Sequence, residues 1–544
     1  LKTIISLAVI AIILTVAVST AWGRKWAMTD GTAIEAEIVK LDKGSVTLRK
    51  ADGKDVSVTL QKFSEEDSRY LASLLAVKDK LQRPGIELIG VPYPVGESIS
   101  FSSDLSAIAW VEKTTLSRER IVYNGSASDW FLEIGTLGSR CCVFSDDGKS
   151  FAYFAKGRDA KSHVVHDGKA EKSFEAISHL AISPDGKHLA YAAFLKDNRM
   201  ALIVDGQEWG VYQVVNIMRW SPDSQHFAYI ATDEKKFDGN SHFDVYVDKK
   251  RYGTELIYIH DHLHTFYSPN IDEDVKDDRL IFSPDSKRWA VLGLVSNSKD
   301  RYDAGGFAVM VDGKMHSSYP DIVHNTLTFS PDSSEILYAA GGPKDGDYFL
   351  VRNGKPGKPW NYINPGSIRF GNRGKSVGMI AFTGKREGSY VADSIIHPEQ
   401  SWSIGTPSLV INDNLKAGGA GPYELCSLTD ASLWIQHDDK KTKNGETARS
   451  FLIDGKGLKM ETPKTGSARY LKFSPDGAHW ICAFTDNTNQ NLQLLCDGSV
   501  YSMPPQPHVC RLKFNGKDKL RVIAIYDRWL CQLDVTPAEF KKTK

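Results

Sequence analysis

A surplus of charge of either sign is missing from this 544-residue chain: Lys plus Arg and Asp plus Glu number 67 each, a formal net charge of zero. Without a surplus there is no bulk field to gather nucleic acid or an anionic membrane surface, so no nucleic-acid partner is expected. Cysteine is scarce. The seven, Cys141, Cys142, Cys426, Cys482, Cys496, Cys510 and Cys531, form no CxxC, and most lie in apolar runs where a thiol acts as a small hydrophobe. The alternative for the last four is a disulfide among Cys482, Cys496, Cys510 and Cys531, the odd count leaving at least one thiol over. Signatures of catalysis are also missing: HExxH, a P-loop, and GxGxxG in a βαβ setting. No enzyme activity and no cofactor are therefore expected. What remains is an ordinary globular composition, 41% apolar and 25% charged, able to bury a core and too long for a single domain.

Long apolar runs are absent apart from one. From Thr3 to Gly23 the chain is uncharged, between Lys2 and the pair Arg24 and Lys25. Small-x-small steps such as Ala17-Val18-Ser19 suit signal peptidase. Residues 1–23 therefore read as a signal peptide, or as an N-terminal membrane anchor formed by residues 3–23, since about 20 apolar residues can span a bilayer. Either way the chain is expected to be exported, periplasmic or secreted, touching a membrane only through this segment.

The next stretch alternates. Ile34, Ala36, Ile38 and Val56, Val58, Leu60 follow a two-residue period, with Asp30-Gly31, Lys43-Gly44 and Asp52-Gly53 as turn signals. Ser64 then stands as an N-cap before Glu65, Glu66 and Asp67 and an amphipathic run through Tyr70, Leu71, Leu74, Leu75 and Leu81, ended by Arg83-Pro84-Gly85. Arg24 and Trp26, "EAEIV", "GSVTL", "DGKDVSVTL" and "FSEEDSRYL" together resemble the Sla-one homology domain, a small SH3-like barrel. The resemblance implies a β-barrel plus helix over 24–83 with a protein-binding tendency. Relatives in adaptors bind peptide signals, and the family is associated with ubiquitin and cytoskeletal proteins.

From residue 86 two turn phrases alternate. One is of the Ser-Pro-Asp-Gly type ("FSDDGKSFAY", "ISPDGKHLAY", "FSPDGAHWIC"); the other is "VDGK"-like. From Asp104 to Asn124, Asp147 to Asp167 and Asp185 to Asp205 the interval is 20 residues, and from Asp332 to Asn353 and Asp476 to Asp497 it is 21. Pro sets φ, Asp bonds nearby backbone and Gly accepts positive φ, so Asp147-Gly148, Asp185-Gly186, Asp205-Gly206, Asp312-Gly313 and Asp476-Gly477 read as structural turns. Each unit of about 40 residues would hold four strands, the size of a propeller blade. The phrases resemble the WD-like repeats of TolB-type β-propellers. The expected fold is all-β: a propeller of about 8–10 four-stranded blades over 86–536, in one ring or two, and a polar tail over 537–544. Ile86 to Val95 looks like an orphan outer strand that closes the ring on the last unit.

Both phrases are first and third turns of a blade and share one rim. The polar insertions "TDEKKFDGN", "SNSKDRYDAGG" and "HDDKKTKNGETAR" fall in second connections on the other. His260, His262 and His264, in a segment read as a link between blades, are a weak metal candidate: on a strand they would share one face. Asp272, Glu273, Asp274, Asp277 and Asp278 read as a solvated loop rather than a calcium site. The expectation is a non-enzymatic, protein-binding adaptor scaffold that recognises its partner through the variable rim and the SH3-like domain. An extracytoplasmic hydrolase or lyase, or a glycan binder using Trp130, Trp209 and Trp360, are the alternatives.

Overall fold

The computed structural model describes residues 24–75, 86–90, 99–113, 117–135, 140–234, 242–257, 279–296, 304–342, 347–383, 406–458, 466–486, 492–502 and 508–542, apart from isolated positions and short turns within these ranges. Residues 1–23 lie outside them, and among the described residues no helix is long and apolar enough to cross a membrane.

The N-terminal unit is a four-stranded antiparallel meander, Arg24–Ala27, Ala33–Leu41, Ser45–Lys50 and Asp55–Thr59. Gly31 and Gly53 take positive φ in its turns, as the Asp-Gly pairs require. Trp26 is its centre. The indole is 1% exposed, donates from Nε1 to the Ala36 carbonyl at 2.9 Å, and meets Phe63 and Tyr70 edge-on. Ser64 Oγ accepts from the Asp67 amide, and buried Asp67 in turn accepts from the Ala27 amide at 2.8 Å. The cap at the start of the helical segment thus ties that segment to the first strand.

Among the described residues ten further four- or five-stranded sheets follow, nine of them with their four main strands in chain order from the centre outwards. We number them as blades: 1, residues 99–127; 2, 133–174; 3, 176–212; 4, 214–252; 5, 256–315; 6, 321–360; 7, 362–418; 8, 420–458; 9, 466–502; and 10, 508–535. Blade 10 has only three strands of its own. Its outermost strand is Ile86–Gly90, which pairs antiparallel with Trp529–Val535. Ile523 of blade 10 packs among Leu105, Ile108, Trp110 and Val122 of blade 1, and Lys513 Nζ donates to the Ser103 carbonyl at 2.6 Å. The sheets therefore close into a single ten-bladed propeller whose ends are held by a strand from the start of the array.

Sequence explains the layers. Second strands such as Phe227–Thr232 and Ile336–Gly341 are buried at every residue, matching their unbroken apolar runs, because a sheet covered on both faces has no wet side. Fourth strands are mostly exposed; Lys355–Trp360 even carries two prolines, which only an edge strand tolerates.

Residues 537–542 correct the expectation of a polar tail. Lys541–Lys542 pairs with Ser499 and Val500, adding a fifth strand to blade 9, and Phe540 is buried beside Tyr501. A single apolar anchor, Phe540, in a short Lys-rich segment leaves no periodic pattern in the sequence. The disulfide alternative is corrected as well: the six cysteines whose side chains are described are all free and buried. Ile481 faces Cys496 and Cys482 faces Leu495 across the ladder, so alternation puts the thiols of Cys482 and Cys496 on opposite faces.

Candidate interaction site

Each Ser-Pro-Asp-Gly turn is a closed hydrogen-bonded unit. In blade 3, Ser183 Oγ donates to Asp185 Oδ1 at 2.7 Å and accepts from the His188 amide at 2.9 Å. Asp185 Oδ1 also accepts from the Lys187 amide, and Gly186, at φ 73°, donates to the Ser183 carbonyl. Asp476 and Gly477 repeat this in blade 9, and Asp147 and Gly148 in blade 2.

The third turns explain the 20-residue interval. Asp205 and Gly206 have φ 50° and 74°, and Asp312 and Gly313 φ 51° and 81°, the two left-handed residues of a type I′ hairpin. The Asp205 carboxylate reaches back to the first turn, accepting from the Leu189 amide through Oδ1 and meeting His188 Nδ1 through Oδ2, both at 2.9 Å. His226 with Asp248, Arg288 with Asp312 and His479 with Asp497 repeat the pair. The two phrases are hydrogen-bonded neighbours on one rim.

The turns also interlock from blade to blade. The Asp185 amide donates to Ser224 Oγ of blade 4, Asp223 to Ser286 of blade 5, and Asp285 to Ser333 of blade 6, each at 3.0 Å. These serines occupy the glycine position of the phrase, at φ 63–64°. Here the cross-blade bond offsets the cost of a left-handed non-glycine residue. Ser286→Ala should therefore destabilise by about 1–3 kcal/mol, because it orphans the Asp223 amide; chemical denaturation of the variant is the measurement, and an unchanged midpoint would count against the interlock.

The Ser hydroxyls of the same turns hold Asp185, Asp223, Asp285, Asp332 and Asp476 below the usual carboxylate range. A lowered folded pKa contributes stability that is present above the unfolded value, about 3.9, and is lost as pH falls through the folded one. Thermal midpoints should hold from pH 7 to about 5 and fall below about pH 4. Replacing these aspartates by Asn should flatten that acid limb.

The opposite rim is not uniform. First turns span six residues in blades 1–6 and 9, and third turns two residues in blades 1–9, whereas the second connections range from two residues (527–528) to 22 (384–405). On this rim, between the second and third strands of blade 4, lies a cleft of about 480 Å³ lined by Thr232, Asp233, Glu234, His242, Asp244, Arg251 and Gly253. Arg251 pairs with Asp244 at 2.7 Å, and His242 Nδ1 lies 3.2 Å from Glu234. The seam between blades 3 and 4 holds Tyr212 and Tyr229, with hydroxyls 2.8 Å apart, and Tyr246 stacked on Tyr229 at 4.7 Å. Burial, then the neighbouring Tyr212 and Asp244, pushes the Tyr246 phenol up to about 12.

The histidine segment has a different place from the one expected. Leu256–Ile257 and Leu280–Phe282 both pair with Trp289–Ser296, so the chain between them interrupts the innermost strand of blade 5 and is no link between blades. Shorter interruptions split the inner strands of blades 2, 6 and 7; periodicity cannot separate two half-strands from a strand plus a link. His260, His262 and His264 themselves, and Asp272 to Asp278, lie outside the described residues. Among the described residues no group of three or more His, Cys, Asp or Glu is placed to hold a metal ion.

The three tryptophans do not form open platforms. Each is half-buried, with Arg120 over Trp130 at 4.3 Å, Lys249 over Trp209 at 4.5 Å and Lys358 near Trp360. Trp209 and Trp360 pack onto the cores of blades 4 and 7. Cations and neighbouring strands occupy the faces a sugar would need.

The N-terminal barrel is not a loose appendage. Its core residues Trp26, Val46, Leu48, Phe63 and Leu71 run into one continuous apolar cluster with Ile481 and Leu494 of blade 9 and Val522 and Leu533 of blade 10. Residues 20–78 match the family model of SLA1 homology domain 1, SHD1. The chain thus carries an SHD1 domain ahead of its β-propeller, and the SHD1 domain packs where the ring closes. No curated protein matches the chain. It is similar to a solved eukaryotic initiation factor at 12% identity, over 86% of this chain and 97% of that one, with a TM-score of 0.36. It is also similar to the β-propeller domain of the Trilobed protease from Pyrococcus furiosus, at 12% identity over 59% of this chain and 97% of that one, TM-score 0.29. TolB from Acinetobacter baumannii aligns at 15% identity over 60% of this chain and 80% of that one, TM-score 0.23. At these scores the SHD1–propeller architecture rests on this chain's own sheet order and on the SHD1 match.

Proposed function

We propose that this protein is an exported, non-enzymatic adaptor that binds a protein partner on the loop-bearing rim of its propeller, with the SHD1 domain as a second binding module. The observation that carries the reading is the difference between the rims: one is built of turns of constant length locked to one another, the other of connections from two to 22 residues. A rigid ring with diversity on one rim is the usual arrangement for recognition. Export rests on the apolar run from Thr3 to Gly23 and the Arg24-Lys25 pair after it. The test places a photo-crosslinking residue at Lys196 or Thr383 on the loop-bearing rim, and at Lys187 or Lys287 on the turn rim, in the native host. Crosslinks to another polypeptide from the first pair only are expected. Crosslinks confined to the turn rim, or none from either, would sink the reading.

A further inference from the structure

Three successive seams of the ring are filled in the same way. Three residues on from the second residue of the third turn, at Gly206, Lys249 and Gly313, blades 3, 4 and 5 carry Trp209, Tyr252 and His316. Each lies against a ring of the following blade: Trp209 on Phe227 at 5.7 Å, Tyr252 on Trp289 at 5.0 Å and His316 on Tyr338 at 6.1 Å. The third turn of that following blade covers it. Lys249 Nζ is 4.5 Å from the Trp209 ring, and a Cβ on Gly313 or Gly354 would come within 3.1 Å of Tyr252 or 3.3 Å of His316.

The next seam breaks the pattern. Three residues after Gly354 stands Gly357, in a bulge like the one that presents Trp209. Val377 of blade 7 takes the place of Phe227, since its amide bonds Asn412 Oδ1 as the Phe227 amide bonds Asp248 Oδ1. With no ring from either blade at this position, a pocket of about 150 Å³ remains between blades 6 and 7, floored by buried Leu350, Val377, Met379 and Val410. Exposed Lys355 and Asp413 stand at its edge, and among the described residues neither the ammonium nor the carboxylate has a hydrogen bond or ion pair. Arg352, beside them, is 3.5 Å from Glu335. The Asp413 carboxylate faces the vacancy: a Cβ on Gly357 would lie 3.8 Å from its Oδ2.

We propose that this pocket binds a free aromatic amino acid of the phenylalanine type. Its ring takes the place that Trp209, Tyr252 and His316 take in the other seams, its ammonium group meets Asp413 and its carboxylate meets Lys355. An apolar cavity of about 150 Å³ holds one benzene ring, and an apolar floor with a few polar groups at the edge is the usual make-up of a small-molecule site. The pocket lies beside the third turns, away from the loop-bearing rim, so it does not depend on a protein partner binding there.

Calorimetric titration of the full chain with L-phenylalanine should show binding, and alanine should show none. Phenethylamine, which lacks the carboxylate, and phenylpropionate, which lacks the ammonium group, should each bind about two- to fivefold more weakly, the loss of one exposed ion pair. Asp413→Asn, which suits the φ of 60° there, should weaken phenylalanine by the same factor. Gly357→Phe should fill the pocket and abolish binding. Because the Leu350 carbonyl is 3.1 Å from its Cβ, Val377→Phe, supplying the ring that Phe227 supplies in blade 4, is the second filling variant. No binding of phenylalanine, equal binding of alanine or of N-acetylphenylalaninamide, or full affinity in Asp413→Asn or in a folded filling variant would overturn the proposal.

Discussion

Trp26→Ala is expected to cost about 3–5 kcal/mol, the range for truncating a buried large aromatic, and to lower the unfolding transition of the propeller as well as that of the SHD1 domain. The indole is fully buried against Phe63 and Tyr70 and bonded to the Ala36 carbonyl. Removing it leaves a cavity in a cluster that continues into Ile481, Val522 and Leu533. Blades 9 and 10 are also where the ring is fastened by Ile86–Gly90. Loosening the SHD1 core therefore weakens the closure from beneath. Far-UV circular dichroism for the whole chain, and the fluorescence of the propeller tryptophans for the ring, followed together in denaturant, check this. If an early transition removes only SHD1 signal while the main transition stays put, the two units are not one cooperative body.

Gly186→Val is expected to cost about 2–5 kcal/mol while leaving partner binding intact in the fraction that folds. The backbone there has φ 73°, a region that penalises a non-glycine residue by about 1–2 kcal/mol and suits a β-branched one least. A Cβ would also come within 2.7 Å of Ser150 Cβ on the preceding blade, and forcing atoms into a packed seam adds about 1–3 kcal/mol. Ser224, Ser286 and Ser333 hold the same conformation, but their hydroxyls gain a cross-blade hydrogen bond that Val cannot make. A variant with an unchanged unfolding midpoint that lost its partner would reverse the assignment of the turn rim as structural.

Both expectations follow from how the fold was written into the chain. The turn phrases were legible because their requirements are local: Asp205-Gly206 needs two left-handed residues, and Ser183 and Asp185 bond within six residues. Constant spacing then implied blades, and the unpaired apolar strand at Ile86 implied closure. The candidate site was legible only as a rim, since loop length shows which side of a blade varies but not what the loops contact.

Sequence therefore settled the repeat, its strand number and the side on which variation collects, all consequences of backbone preferences over a few residues. Tertiary structure alone decided the count of ten blades in one ring, the fifth strand that Lys541–Lys542 adds to blade 9, the broken inner strands, and the merger of the SHD1 core with the closing blades. Those depend on which distant strands and apolar faces meet, and such pairings are selected by packing over hundreds of residues, where local propensity says nothing about the partner.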